Sequence, residues 1–236
     1  NKRRNNMATS GTTTFNLDIA DVIEEAMSML GGEQALGFEP LEARRTLNLL
    51  LIDWMNRGIL LWKQNIATLD ITNGTAKYTL PTSLIDITEL VHRTVSGSTN
   101  TDLALERITM EAYQRITNKT QTGRPTQYAI NRLRDAAELY LWPTPDATTS
   151  SGTPILSYFS FNKVEDVTKS NQDPDVPFRF LPCLSTGLAY KMSIKRPGIT
   201  SERASMLKQM YEEELTSAMY ADKERASLLI KPSFRL

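Results

Sequence analysis

The chain carries one histidine, His92, and one cysteine, Cys183, so chemistry that needs an imidazole base or a thiolate nucleophile has a single residue of each kind to draw on. A zinc site usually takes about four Cys or His ligands, and an internal disulfide needs a pair of cysteines, so neither is expected. His92 falls inside an expected strand, where a surface or half-buried position is the ordinary explanation. Cys183 falls near the start of an expected helix, where a thiolate could be stabilised, yet no imidazole accompanies it in a recognisable motif and buried packing is the preferred reading. Adjacent acids, Glu24 with Glu25 and Glu212 through Glu214, could in principle supply a glycosidase pair for cell-wall glycan. Neighbours on a helix diverge by about 100°, however, and do not face one substrate. The sequence contains no G-x-S-x-G elbow, no G-x-x-x-x-G-K-[ST] loop, no H-E-x-x-H and no G-x-G-x-x-G. The expectation is a non-enzymatic protein without cofactor or metal.

Bulk properties agree with a structural role. The 236 residues suit one large domain or two small ones, and 40% apolar content is ordinary for a packed core. The 27 basic residues balance 27 acidic ones, which disfavours gripping of nucleic-acid phosphates as the main task. No apolar run approaches the ~20 residues of a membrane-spanning helix, and Lys2, Arg3 and Arg4 are not followed by an apolar signal core. A soluble, unexported protein of a reducing cytosol is expected, with no membrane partner. On that ground the acceptor-like Asn73-Gly74-Thr75 and Asn118-Lys119-Thr120 are chance matches. Residues 1–14, rich in Asn, Thr and Ser, are expected to be a flexible segment, either a frayed terminus or a docking arm.

The elements follow from periodicity. Ile19, Val22, Ile23, Ala26, Met27 and Leu30 recur at helical spacing between an Asp18 N-cap and a Gly31 C-cap, which predicts a helix over about 18–30. A second helix is predicted over 40–57, starting at Pro40 and carrying Ala43, Leu47, Leu50, Leu51 and Trp54. From Ile66 the period becomes two. An Asn73-Gly74 turn predicts a hairpin between Ile66–Ile71 and Tyr78–Leu80. Further strands are expected at Ile87–Val95, Tyr128–Leu133, Glu138–Trp142 and Ile155–Phe161, with a polar loop from Ser96 to Asp102, a short helix at Met110–Ile116 and a protruding loop from Pro143 to Pro154. Helical spacing returns over 178–196 and, from a Ser201 cap, over 201–225. The expected fold class is α+β: a four-helix bundle core, a β-rich insertion over about 66–162 between helices two and three, and an extended C-terminal arm. The expected organisation is one adaptor-like domain over 15–221 with the arm at 222–236.

Two segments stand out as candidate binding surfaces. Arg107, Arg115, Arg124, Arg132 and Arg134, with Lys119, cluster in the β-rich segment near Tyr128, Tyr140 and Trp142. They could meet DNA phosphates, giving a DNA-binding protein, or a neighbouring subunit's carboxylates, and intersubunit pairing is preferred. The end of the chain breaks helical pattern at Pro232 but keeps Leu228, Leu229, Ile230, Phe234 and Leu236, an apolar content unusual for a disordered tail. It reads as an extended binding arm or as a strand tucked onto its own domain.

The order Phe15-Asn16-Leu17-Asp18-Ile19, Ala43-Arg44-Arg45-Thr46-Leu47-Asn48, Asp53-Trp54 and Arg57-Gly58 resembles the podophage head-to-tail adaptor family, which includes tail tubular protein A and is also described as tail accessory or head-completion factors. Tyr78-Thr79-Leu80-Pro81, Gly123-Arg124-Pro125, Leu139-Tyr140-Leu141-Trp142-Pro143 and Gly187-Leu188-Ala189-Tyr190-Lys191-Met192 extend the resemblance over most of the chain. The resemblance implies a virion protein at the head-to-tail junction, present in the host cytoplasm before assembly. It implies a homo-oligomeric ring, commonly of about twelve copies, bound to a portal protein. Double-stranded DNA would pass through that ring, and a tail nozzle or tail fibre protein would sit on the far side. By position, it also makes Leu228, Leu229, Ile230, Pro232, Phe234 and Leu236 the portal-binding candidates.

Overall fold

A computed structural model describes residues 12–13, 15–31, 39–59, 61–96, 99–146 and 155–222. The expected N-terminal segment, except Thr12 and Thr13, the 147–154 part of the protruding loop, and the C-terminal arm beyond Asp222 lie outside the described residues. The chain divides into two compact units: Asn1–Ile59 with Glu165–Leu236, and Leu60–Val164.

In the first unit, α1 (Ile19–Leu30) starts at a capping box. The Asp18 carboxylate accepts from the Asp21 amide at 2.8 Å, and Asp21 answers on the Asp18 amide. It ends at Gly31, whose φ of 70° is the left-handed conformation that a C-cap requires. α2 (Glu39–Asn56) buries Ala43, Leu47, Leu50, Leu51 and Trp54, and leaves Leu41, Leu49 and Ile52 exposed. Asn48 on α2 forms a two-way clamp on Val167, accepting from its amide at 2.8 Å and donating to its carbonyl at 3.1 Å. That clamp fixes the segment leading toward α4 (Leu181–Ser193). α5 (Ser201–Ala221) is capped by Thr200, one residue before the expected Ser201, and buries Leu207, Tyr211, Leu215 and Ala218.

The second unit holds α3 (Met110–Arg115) and eight strands: β1 (Gln64–Asp70), β2 (Lys77–Thr79), β3 (Leu84–Ser96), β4 (Thr99–Ala104), β5 (Glu106–Arg107), β6 (Gln127–Asn131), β7 (Glu138–Trp142) and β8 (Ile155–Asn162). They form two four-stranded sheets, ordered β1-β8-β3-β4 and β2-β7-β6-β5; pairing is antiparallel except between β5 and β6. Leu84, Ile87, Leu90, Leu156 and Tyr158 of one sheet and Tyr128, Leu139 and Leu141 of the other belong to one buried core.

This architecture overturns the four-helix bundle core carrying a β-rich insertion. The described residues form five α-helices and two sheets, and the strands make a compact unit with a core of their own. The helical unit is not a bundle of four striped helices either, because α4 buries most of its residues, the small polar Ser185, Thr186 and Ser193 among them. Its sequence explains why: Cys183, Ser185, Thr186, Gly187 and Ala189 are small, the Ser185 hydroxyl donates to the Leu181 carbonyl one turn back, and the Thr186 hydroxyl donates to the Glu214 carboxylate of α5 at 2.7 Å. With these hydroxyls bonded, the small polar residues of α4 can be buried along with its apolar ones.

Two local expectations also change. The Ile66–Leu80 hairpin does not form, because β1 pairs with β8 and β2 with β7. The Asn73-Gly74 turn is present, with Gly74 at φ 74°, but buried Ile71 and the Tyr78 hydroxyl bonded to Thr72 carry the chain from one sheet to the other. The Ser96–Asp102 loop is largely strand β4. Every β4 residue is exposed, so this edge strand shows no apolar alternation to read.

Candidate functional site

The arginines of the β-rich segment supply the site geometry. On β3, pairing with β8 slips between Leu84 and Asp86 and again between Ile87 and Glu89. Asp86 lies within this irregular stretch and receives two guanidinium groups. Arg107, on β5, donates from Nη2 to Oδ1 at 2.9 Å and from Nη1 to Oδ2 at 3.2 Å, and reaches the Ile87 carbonyl at 2.8 Å. Arg132, just past β6, donates to the same Oδ2. Two cations thus share one carboxylate and leave a half-exposed site of positive balance, a surface that can meet an anionic group. Sequence reasoning named both arginines and missed Asp86, whose only signal is its place among the charged positions of a strand.

The remaining candidates are placed separately. Arg115 pairs with Glu111 on α3 at 2.5 Å, with both side chains strongly exposed. Lys119 donates to the Gln114 and Ile116 carbonyls and closes the end of α3. Arg134 lies beside Asp135 at 3.5 Å in the turn between β6 and β7. Arg124 points Nη2 at His92 Nδ1, 3.3 Å away. The structure brings Arg107 and Arg132 together on Asp86, while Arg115, Arg124 and Arg134 each meet a different partner.

The aromatics are used mostly inside the unit. Tyr128 is a core residue at 1% exposure and offers no face for stacking. Tyr140 packs tilted on Tyr113 with ring centres 5.2 Å apart, donates to Glu138 at 2.9 Å, and has Lys77 over its ring. Lys77 and Glu138 form an ion pair at 2.7 Å, which holds the carboxyl below its ordinary range, with the Lys77 hydrogen bond as the main cause and the Tyr140 hydrogen bond next. Trp142 donates from its indole to the Asn118 carbonyl at 3.1 Å.

His92 is fully buried in β3, against the surface or half-buried position expected. Its Nδ1 faces a guanidinium that can only donate, so the proton sits on Nε2, a buried atom without a hydrogen-bond partner. Burial, reinforced by Arg124, holds its pKa below the usual histidine range. Burial, with Glu214 adding to it, pushes the Cys183 thiol up to about 12. Glu212, Glu213 and Glu214 diverge toward Lys208, Gln209 and Thr186 respectively. Among the described residues, no three His, Cys, Asp or Glu side chains are grouped to hold a metal ion, and no helix is long and apolar enough to cross a membrane.

What this arrangement offers is surface: a charged strand layer on one unit, and on the other an α2 face with Leu41, Leu49 and Ile52 outward. Such a chain has the build of a structural component that presents faces to other proteins. The chain belongs to the SU10 adaptor protein family, whose model matches residues 17–231. It is therefore a phage head-to-tail adaptor, a structural protein of the virion. A comparison with curated proteins finds no match.

Proposed function

We propose that this adaptor assembles as a closed homo-oligomeric ring, of about twelve copies, beneath the portal protein and above a tail nozzle or tail fibre protein. Double-stranded DNA passes through the ring during packaging closure and ejection. The observation that carries the reading is the family match from residue 17 to residue 231, which spans both units, all of α5 and much of the C-terminal segment. The ordered motifs from Phe15 to Met192 favour the podophage type, with tail tubular protein A as the pattern. In this reading the helical unit forms ring wall, the strand unit meets neighbours or tail, and residues 222–236 bind portal through Leu228, Leu229, Ile230, Pro232, Phe234 and Leu236. Twenty-seven cations against 27 anions suit a channel component, because a strongly basic lining would hold the duplex through many phosphate contacts. Co-sedimentation with portal rings tests the arm: the full chain co-sediments, and a chain truncated after Arg225 stays in the supernatant. Equal binding by both would remove the arm from the account.

A second reading, duplex binding through the Arg107–Arg134 segment, is favoured by the two guanidiniums that share Asp86. It predicts affinity for DNA that falls steeply with salt, and a salt titration of duplex binding decides it.

A further inference from the structure

The helical unit carries an apolar groove of about 730 Å³, within the ~300–1,000 Å³ range of clefts that enclose a ligand. Its walls include Phe15, Leu17, Met29, Phe178, Leu181 and Pro182, and among the described residues its charged lining groups are the carboxylates of Glu25 and Glu214. Phe15 and Phe178 are 76% and 74% exposed, so two whole aromatic rings face water at one opening. Exposed apolar surface of this kind marks a place where something binds.

We propose that this groove holds the chain's own C-terminal segment, with Leu228–Leu236 laid along it in the free subunit. Three features select this occupant. The first is where the described chain ends: Asp222, directly after α5, is ion-paired with Arg179, the neighbour of Phe178 on the groove rim. The pair holds the start of the segment beside the opening, and the Asp222 side chain is only 7% exposed. The second is length. Lys223 to Ser227 span about 17 Å when extended, enough to turn back from the end of α5, and the following residues supply about 30 Å for the groove. The third is chemistry: Leu228, Leu229, Ile230, Phe234 and Leu236 match the apolar walls, while Lys223, Arg225, Lys231 and Arg235 against the single Glu224 complement Glu25 and Glu214. The groove covers the segment until a competing surface takes it.

Hydrogen exchange of the full-length chain, at a concentration where light scattering shows a monomer, tests the docking. Backbone amides of residues 228–236 exchange at least tenfold more slowly than in an unstructured peptide. Phe178→Asp, at an exposed position, returns them to the unstructured rate while α4 interior amides keep their protection. Leu229→Asp with Phe234→Asp speeds exchange at 178–185 in turn. Unprotected amides in the unsubstituted chain, or protection indifferent to Phe178→Asp, would overturn the proposal. So would protection that disappears on tenfold dilution, because a second copy would then be the source. The portal reading fails separately. A segment that exchanges freely yet is needed for portal co-sedimentation sinks only the docking, and a docked segment whose removal leaves co-sedimentation unchanged sinks only the arm.

Discussion

The indole Nε1 of Trp54 donates a 2.8 Å hydrogen bond to the hydroxyl of Tyr211, tying α2 to α5 inside the helical unit. Both side chains are buried, and they meet where α4 carries Gly187. Trp54 also packs tilted on Phe180 and Tyr211 lies parallel to Tyr190, so one bond orients rings contributed by three helices and the turn before α4. Removing the hydroxyl with Tyr211→Phe leaves a buried indole N–H without a partner. The expected cost is ~1–3 kcal/mol of unfolding free energy, read as a lower urea midpoint with unchanged slope.

Gly187→Ala tests the packing rather than the bond. An added methyl carbon would sit 2.8 Å and 2.9 Å from Tyr211 ring carbons and 3.0 Å from a Leu50 methyl, closer than side chains pack. Alanine gains ~1 kcal/mol in helix propensity, and overpacking a core costs ~1–3 kcal/mol, so the second effect wins. The variant is expected to melt at a lower temperature, and an unchanged or higher melting temperature would refute the close approach.

His92 sets a pH dependence whose sign is fixed by its burial. In the unfolded chain it titrates near ~6.5, whereas in the folded chain burial and Arg124 keep it neutral to lower pH. The unfolded state therefore takes up the proton first, so the His92 contribution is complete above about pH 6.5 and lost as pH falls below it. Urea midpoints should drop between pH 7 and pH 5.5, and His92→Gln should flatten that step. A step of equal size in the variant would assign it to other groups.

Much of the helical signal was legible because it is local. Asp18 and Gly31 mark both ends of α1 in the sequence, and the alternating runs at Tyr128–Leu133 and Glu138–Trp142 mark β6 and β7. What the periodicity hid is non-local. The Leu181–Leu184–Leu188–Met192 stripe of α4 looks like that of a bundle helix, yet Ser185, Thr186 and Ser193 off that stripe are buried as well. β1 and β2 are separated by a single turn signal and still join different sheets, because pairing with β8 and β7 outweighs it. Asp86 meets Arg107 across 21 positions and Arg132 across 46, a convergence that only the sheet topology creates. The apolar residues of the C-terminal segment were visible, but the groove beside Phe178 was not.

Cys183 provides a readout of the helical unit. With its thiol pushed up to about 12 by burial and its Sγ donating to the Phe180 carbonyl at 3.2 Å, it presents almost no thiolate at neutral pH. A thiol reagent at pH 8 should label the native chain at the rate of global unfolding and label it promptly in urea. Prompt labelling of the native chain would contradict the buried hub assigned to α4.

A ring beneath the portal is visible to electron microscopy of the full-length chain mixed with purified portal rings. A closed, symmetric layer of added density is expected on one face of the portal, absent when the chain is truncated after Arg225. Portal rings that gain no density, or subunits bound singly without closing a ring, would contradict it.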